Sequence, residues 1–294
     1  MTPDSPRRRP LGGLVVASLG ATWLIWGSTY LAIKFAITGL PPFFMMGARF
    51  IAAGALLLGY QRLRGALMPT ARQWFNATIV GFLMLCLGMG ITAQVELAVN
   101  SGLVVAFIAV TPLLTVLARL PFGIRPGRGE VLGILIGLSG VVMLTQGDGF
   151  RASPGGLALM VLATSGWTLG SVLSQQTLPL APGATGFASE MLCGGALLFV
   201  ISALVGEHPV LAATPMAWAA WAYLVVFGSL IAFNAYMFLL GRVSSGLATS
   251  YTYVNPVIAM VLGIALAGEH ISGWEWLSAA VILAGVVILL LSRR

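Results

Sequence analysis

Charge is scarce in this chain. Of its 294 residues, only 8% are Asp, Glu, Lys or Arg, while 59% are hydrophobic. A soluble domain carries about a quarter charged residues, so a water-covered surface is excluded at this size. Metal and hydrolytic chemistry are equally short of parts. The two histidines, His208 and His270, have no second ligand at metal spacing. No phosphate-binding loop and no Ser-His-Asp order with a nucleophile elbow occurs. Lys34 is the sole lysine and ends the first apolar run, far from the late-helix place a Schiff-base lysine would need. The two cysteines, Cys86 and Cys193, fall within apolar runs, where they read as helix-packing residues rather than a disulfide.

Long apolar runs are what the chain has. Ten of them reach bilayer length, at about 14–34, 42–60, 75–97, 101–120, 130–146, 155–174, 186–205, 216–240, 246–266 and 274–292. The links are about a dozen residues at most, too short for a soluble domain. The fold class expected is an all-α membrane protein of ten transmembrane helices. Arg7 to Arg9 ahead of the first run fit a signal peptide, but the run is long and no small-residue cleavage pattern follows, so it reads as a retained span.

The net charge of +7 does not form a nucleic-acid patch. With the N-terminus inside, Arg7, Arg8, Arg9, Arg62, Arg64, Arg72, Arg119, Arg125, Arg128, Arg242, Arg293 and Arg294 fall in inner segments, against Lys34 and Arg151 outside. That is the positive-inside pattern. It predicts cytoplasmic termini, a lipid bilayer as the solvent, and no nucleic-acid partner.

The chain also repeats itself. Val99-Asn100-Ser101-Gly102-Leu103, followed by Thr111-Pro112, matches Val243-Ser244-Ser245-Gly246-Leu247, followed by Asn255-Pro256, at an offset of 144. Gly-Val-Val recurs at 140–142 and 285–287. Residues 1–150 and 151–294 therefore read as two five-helix repeats. Five is odd, so the second enters the membrane inverted, a layout common among transporters with a midplane site. Gly133 and Gly137 lie four apart, a spacing that lets helix backbones approach closely. Gly88-Met89-Gly90 mimics a dinucleotide fingerprint but lies mid-span, where no strand precedes it.

Pro112 and Pro256 stand at equivalent mid-span places. Each removes a helical hydrogen bond, and each reads either as a structural kink or as a hinge beside a cavity. Thr111 and Asn255, just before them, are candidates to satisfy the freed carbonyls. The polar and aromatic residues within spans form the candidate substrate lining. Trp23, Trp26 and Tyr30 share a face of the first span, and Trp167, Ser171 and Gln175 form a ladder on the sixth. Gln94, Asn100, Phe107, Thr111, Asn234, Tyr236, Tyr251 and Asn255 complete the set. Rings take apolar parts of a solute and amides take polar ends; belt aromatics and interhelical bonds are the other reading. Charged groups inside spans are costly. Arg49 reads as a carboxylate binder or a brace and is placed to pair with Glu96; Glu190 reads as a proton carrier or a solvated end.

Trp26-Gly27-Ser28-Thr29-Tyr30, Lys34, Leu40-Pro41-Pro42-Phe43 and Arg49 together resemble the opening of the EamA branch of the drug/metabolite transporter superfamily. Asn255-Pro256, Gly268-Glu269 and Gly285-Val286 resemble the close of its second repeat. The first half departs from the pattern, with a basic loop from Leu120 to Gly129 in place of a Gly-Glu pair. The resemblance implies an inverted-repeat exporter of amino acids, including aromatic ones, and related metabolites. It implies a small-molecule substrate and no cofactor, with Lys34, Arg49 and Glu269 at the family's charged positions. Multidrug efflux on the same fold is the alternative. An intramembrane enzyme or a passive channel stands behind both.

Overall fold

The computed structural model describes residues 12–148, 153–208, 212–240, 242–243 and 250–292. Their regular structure is helical throughout. In chain order the helices are α1 Gly13–Ala36, α2 Pro42–Leu63, α3 Ala71–Val95, α4 Ser101–Phe122, α5 Arg128–Thr145, α6 Pro154–Gln176, α7 Ala184–Leu204, α8 Pro215–Tyr236, α9 Tyr251–Ala267 and α10 Gly273–Leu291. The first eight are long and apolar enough to cross a membrane; Val254–Ala267 and Gly273–Ile288 are shorter apolar stretches. In the second copy of the repeat, residues 244–247 lie outside the described residues.

Helix starts are set by local chemistry. Thr70 and Gln73 form a reciprocal capping box on α3, and Ser153 and Thr214 cap α6 and α8. Pro42, Pro154 and Pro215 occupy first turns, where a missing N–H costs nothing. Glu130 accepts from the Gly127 N–H at the start of α5, and Glu275 accepts from Ser272 at the start of α10. These two glutamates stand 145 residues apart, the same offset as the Gly-Val-Val pair.

Packing respects the exchange of α1–α5 with α6–α10. Helix α2 lies on α7, α5 on α10 and α4 on α9, while α1 meets α8 and α9 as α6 meets α3 and α4. Small residues permit these contacts, because lipid supplies little drive for helices to associate. A methyl group built on Gly285 would sit 2.4 Å from the Gly137 nitrogen and 2.7 Å from the Gly133 carbonyl. Gly47 and Gly195 oppose each other's carbonyls in the same way between α2 and α7.

Two backbone features were not legible in the sequence. Helix α3 widens into a π-helix over Phe82–Gly90, and α8 does so over Leu224–Ile231. These are equivalent helices of the two halves. Helix α4 is broken. It runs helically over Ser101–Ile108, turns at Ala109 and Val110, and restarts at Thr111 with Pro112 in its first turn. Thus Pro112 opens a new helical segment rather than kinking a continuous one, whereas Pro256 lies inside α9.

Candidate substrate cavity

A cavity of about 290 Å³ lies where α3, α4, α6 and α9 meet, closed by single residues from α1 and α8. Its wall takes in both sides of the α4 break, from Val105 to Thr115, and the π segment of α3 at Gly88 and Met89. Local backbone chemistry explains the break. Pro112 cannot donate to the Ile108 carbonyl, and the Thr111 hydroxyl donates there instead at 2.7 Å. In α9, Asn255 does a different job from the one its place before Pro256 suggests. With its amide turned so that nitrogen faces two carbonyls, it donates to Tyr251 and to Trp23, each at 3.1 Å, and so ties α9 to α1.

Of the residues singled out in the sequence, Tyr30, Thr111, Pro112, Trp167, Ser171, Tyr236, Tyr251, Asn255 and Pro256 line the cavity. Gln175 completes the α6 ladder at the exposed end and accepts from Arg119 at 2.9 Å. Trp26 stands behind the wall. Its ring meets Tyr251 edge-on at 4.6 Å and Tyr236 at 5.4 Å, and its indole donates to the Gly228 carbonyl in the π segment of α8. Trp23 bonds Ser250 and packs on Leu19 and Leu239.

The others do not reach the cavity. Asn234 is exposed and donates to Leu230, because residues two apart on a helix face nearly opposite ways and Tyr236 takes the inward place. Phe107 is buried in the core around α4. Asn100 bonds the His270 carbonyl across the end of the bundle, and Gln94 is half-buried outside the lining. The cavity threonines Thr92, Thr115 and Thr164 were missed. Helical spacing marks two of them: Thr115 is four residues from Thr111, and Thr164 three from Trp167.

Among the described residues the lining carries no charged side chain. Thr92, Thr111, Thr115 and Thr164 each donate their hydroxyl proton to a carbonyl of their own helix, which leaves oxygen lone pairs as acceptors. The phenols of Tyr30, Tyr236 and Tyr251 and the indole N–H of Trp167 have no hydrogen-bond partner among the described residues, and so stand as donors. One neutral pocket thus offers acceptors on one set of residues and donors on another.

The span charges lie outside this wall. Arg49 is buried and braces α2 to α8: its Nε donates to Ser229 Oγ at 3.0 Å and its guanidinium stands 5.0 Å from the Phe50 ring centre. It makes no ion pair with Glu96, contrary to the sequence expectation; Ser229 takes its nitrogen instead. Lys34 donates to the backbone carbonyl of Glu96, not to its carboxylate. Glu190 is buried with Oε2 unpartnered among the described residues.

At the end away from the arginine-rich loops, two carboxylates of the second half bind helix starts of the first. Glu269 Oε1 accepts from the Ser101 N–H and hydroxyl, both at 2.7 Å, and Oε2 from the Gly102 N–H at 3.1 Å. Glu207 accepts from the Phe43 and Phe44 N–H groups at the start of α2. Anions at helix N-termini satisfy donors that the helix leaves unpaired. The Gly268-Glu269 pair is explained here. Gly268, at φ +65°, ends α9 in the left-handed region, and the turn carries Glu269 onto α4.

Two helical halves related by exchange, packed around a largely apolar cavity with polar groups in its wall beside a broken helix, have the architecture of a transporter. The model of the EamA-like transporter family matches residues 13–146 and again 154–291, and the chain belongs to that family of multi-pass membrane transporters. It is 41% identical over 278 residues to the inner membrane transporter YedA of Escherichia coli K12, covering 94% of this chain and 90% of that one. It is 21% identical to a probable amino-acid metabolite efflux pump of Salmonella typhimurium, over 90% and 91% of the two chains. A solved crystal structure superposes with a TM-score of 0.66 at 22% identity, covering 96% of this chain; that likeness concerns the fold.

Proposed function

We propose that this chain exports amino acids, aromatic ones included, and related net-neutral metabolites across the inner membrane. It would do so by alternating access between two inverted five-helix halves, 1–150 and 151–294, with ten spans and both termini cytoplasmic. One observation carries the substrate class. The lining is uncharged, yet it presents phenol and indole donors together with threonine acceptors around an aromatic wall. A zwitterion asks for this combination. Donors meet its carboxylate, lone pairs meet its ammonium, and rings meet its side chain. Buried uncompensated charge is costly, so a net-charged solute is disfavoured. The names of the Escherichia and Salmonella relatives support the membrane and the substrate class.

The cavity reaches exposed Gln175 at the arginine-rich end, while Glu269 and Glu207 close the other. If the arginines face the cytoplasm, this arrangement is open inward, ready to load. Competition tests the reading. Unlabelled L-phenylalanine, L-leucine and the lipophilic cation tetraphenylphosphonium are added against labelled L-phenylalanine in proteoliposomes. Inhibition by the amino acids alone supports it. Inhibition by the cation alone transfers the site to multidrug efflux.

A further inference from the structure

We propose that Glu96 is a proton-carrying group that closes the acidic end when protonated and opens it when ionised, coupling solute export to proton import. This rests on the export reading above, but its first two tests do not need a transported solute.

Glu96 ends α3 and is fully buried, and neither carboxylate oxygen has a hydrogen-bond partner among the described residues. Its surroundings are well defined. Lys34 and Tyr30 reach its field from α1 and Glu269 from the link between α9 and α10. The Lys34 ammonium donates to the Glu96 backbone carbonyl, and its charge still acts on the carboxylate in favour of the ionised form. Glu269 is held by three donors from the start of α4, which suit an ionised carboxylate. A second ionised carboxylate beside it, without a donor, would be penalised chiefly by desolvation and further by like charge, against which the Lys34 ammonium acts. The closed arrangement therefore favours a proton on Glu96. Losing that proton makes closure costly, and exposure to water at an opened acidic end relieves the cost.

The site also touches the transport path. Tyr30 lies within the field of Glu96 and lines the cavity, as does Thr92 one turn before Glu96 on α3. A proton taken up from the acidic end as –COO⁻ becomes –COOH is trapped on closure. Its release on the cavity side regenerates –COO⁻, which drives reopening with solute aboard. One proton enters for each solute that leaves, and no other reactant is needed.

The first test is the infrared C=O stretch of protonated carboxylic acid in purified, lipid-reconstituted protein at neutral pH. The chain has only eight acidic side chains, and Glu190→Gln assigns any contribution from the other unpartnered span carboxylate. The expected result is a band that Glu96→Gln removes. The second test is the distance between spin labels at Leu97→Cys and Gly273→Cys, with Cys86 and Cys193 replaced by alanine. It should widen as pH rises through the titration of that band and stay constant in Glu96→Gln.

In vesicles with an acid interior, wild type should accumulate labelled L-phenylalanine, up to about tenfold for each tenfold proton gradient at one proton per solute. Glu96→Gln, fixed in the uncharged form that favours closure, should lose the accumulation and slow counterflow. A band unaffected by Glu96→Gln, a pH-independent distance in wild type, or accumulation indifferent to the gradient overturns the proposal. Absence of any L-phenylalanine counterflow in wild type would overturn the substrate reading instead, leaving the band and the distance to decide the role of Glu96.

Discussion

Glu269 and Ser101, 168 residues apart, meet through two 2.7 Å hydrogen bonds to one carboxylate oxygen, and this contact joins the two halves at the acidic end of the bundle. A third bond from the Gly102 N–H engages the other oxygen. Hydrogen bonds to charged groups contribute about 1.5–3 kcal/mol each, so the cluster is strong enough to bias which end is open.

Glu269→Gln should weaken that closure. The amide nitrogen cannot accept from an N–H and will oppose either Ser101 or Gly102. A cysteine at Val105, which lines the cavity on the Glu269 side of the α4 break, should then react with a membrane-impermeant maleimide from the acidic side about tenfold faster. That factor corresponds to about 1.4 kcal/mol of lost closure. Unchanged labelling would remove Glu269 from the gating account.

Trp167→Ala should lower transport by about tenfold or more while leaving the amount of folded protein in the membrane unchanged. The indole packs against the Gly88 position, where an added methyl would lie 3.2 Å from it, and its N–H has no hydrogen-bond partner among the described residues. Trp167→Phe should recover the stacking but not the donor, and so restore activity in part. Equal transport per folded molecule in all three proteins would contradict the cavity assignment.

Arg49 should behave as a brace. Ser229→Ala strips a buried guanidinium of a hydrogen bond and should lower stability by about 1–3 kcal/mol, read as the thermal midpoint in detergent. Substrate affinity, from saturation of uptake, should change little. A large loss of affinity with normal stability would make Arg49 a substrate ligand after all.

Gly285→Ala should destabilise α10 against α5. The new methyl meets the backbone at Gly137 at 2.4 Å, which no rotamer change relieves, and overpacking of this kind costs about 1–3 kcal/mol. Gly12→Ala, which meets nothing within 4 Å, is the control.

Much of this was legible in the sequence, for physical reasons. Low charge and spans of bilayer length dictate helices in lipid, and the Gly133–Gly137 spacing announced the close α5–α10 contact. The Trp167, Ser171 and Gln175 ladder was found because four-residue spacing is a face of an α-helix. The same rule failed where the backbone leaves the α-helical path. The π segments of α3 and α8 have no sequence signature, and the α4 break at Ala109 and Val110 was foreseen only as a kink or a hinge at Pro112, not as an interruption of the helix before it. Asn100 and Glu96 lie at span ends and were read with the cavity or paired with Arg49. Their actual partners, the His270 carbonyl for Asn100 and the Lys34 ammonium on the Glu96 carbonyl, come from links whose paths only the packed structure reveals.

The most direct test of the transport claim is uptake of labelled L-phenylalanine into proteoliposomes, with and without unlabelled L-phenylalanine inside. Saturable uptake accelerated by the internal solute is the expected result, because a carrier returns faster loaded than empty. Uptake that neither saturates nor responds to internal solute, or no uptake across a panel of amino acids, would contradict it.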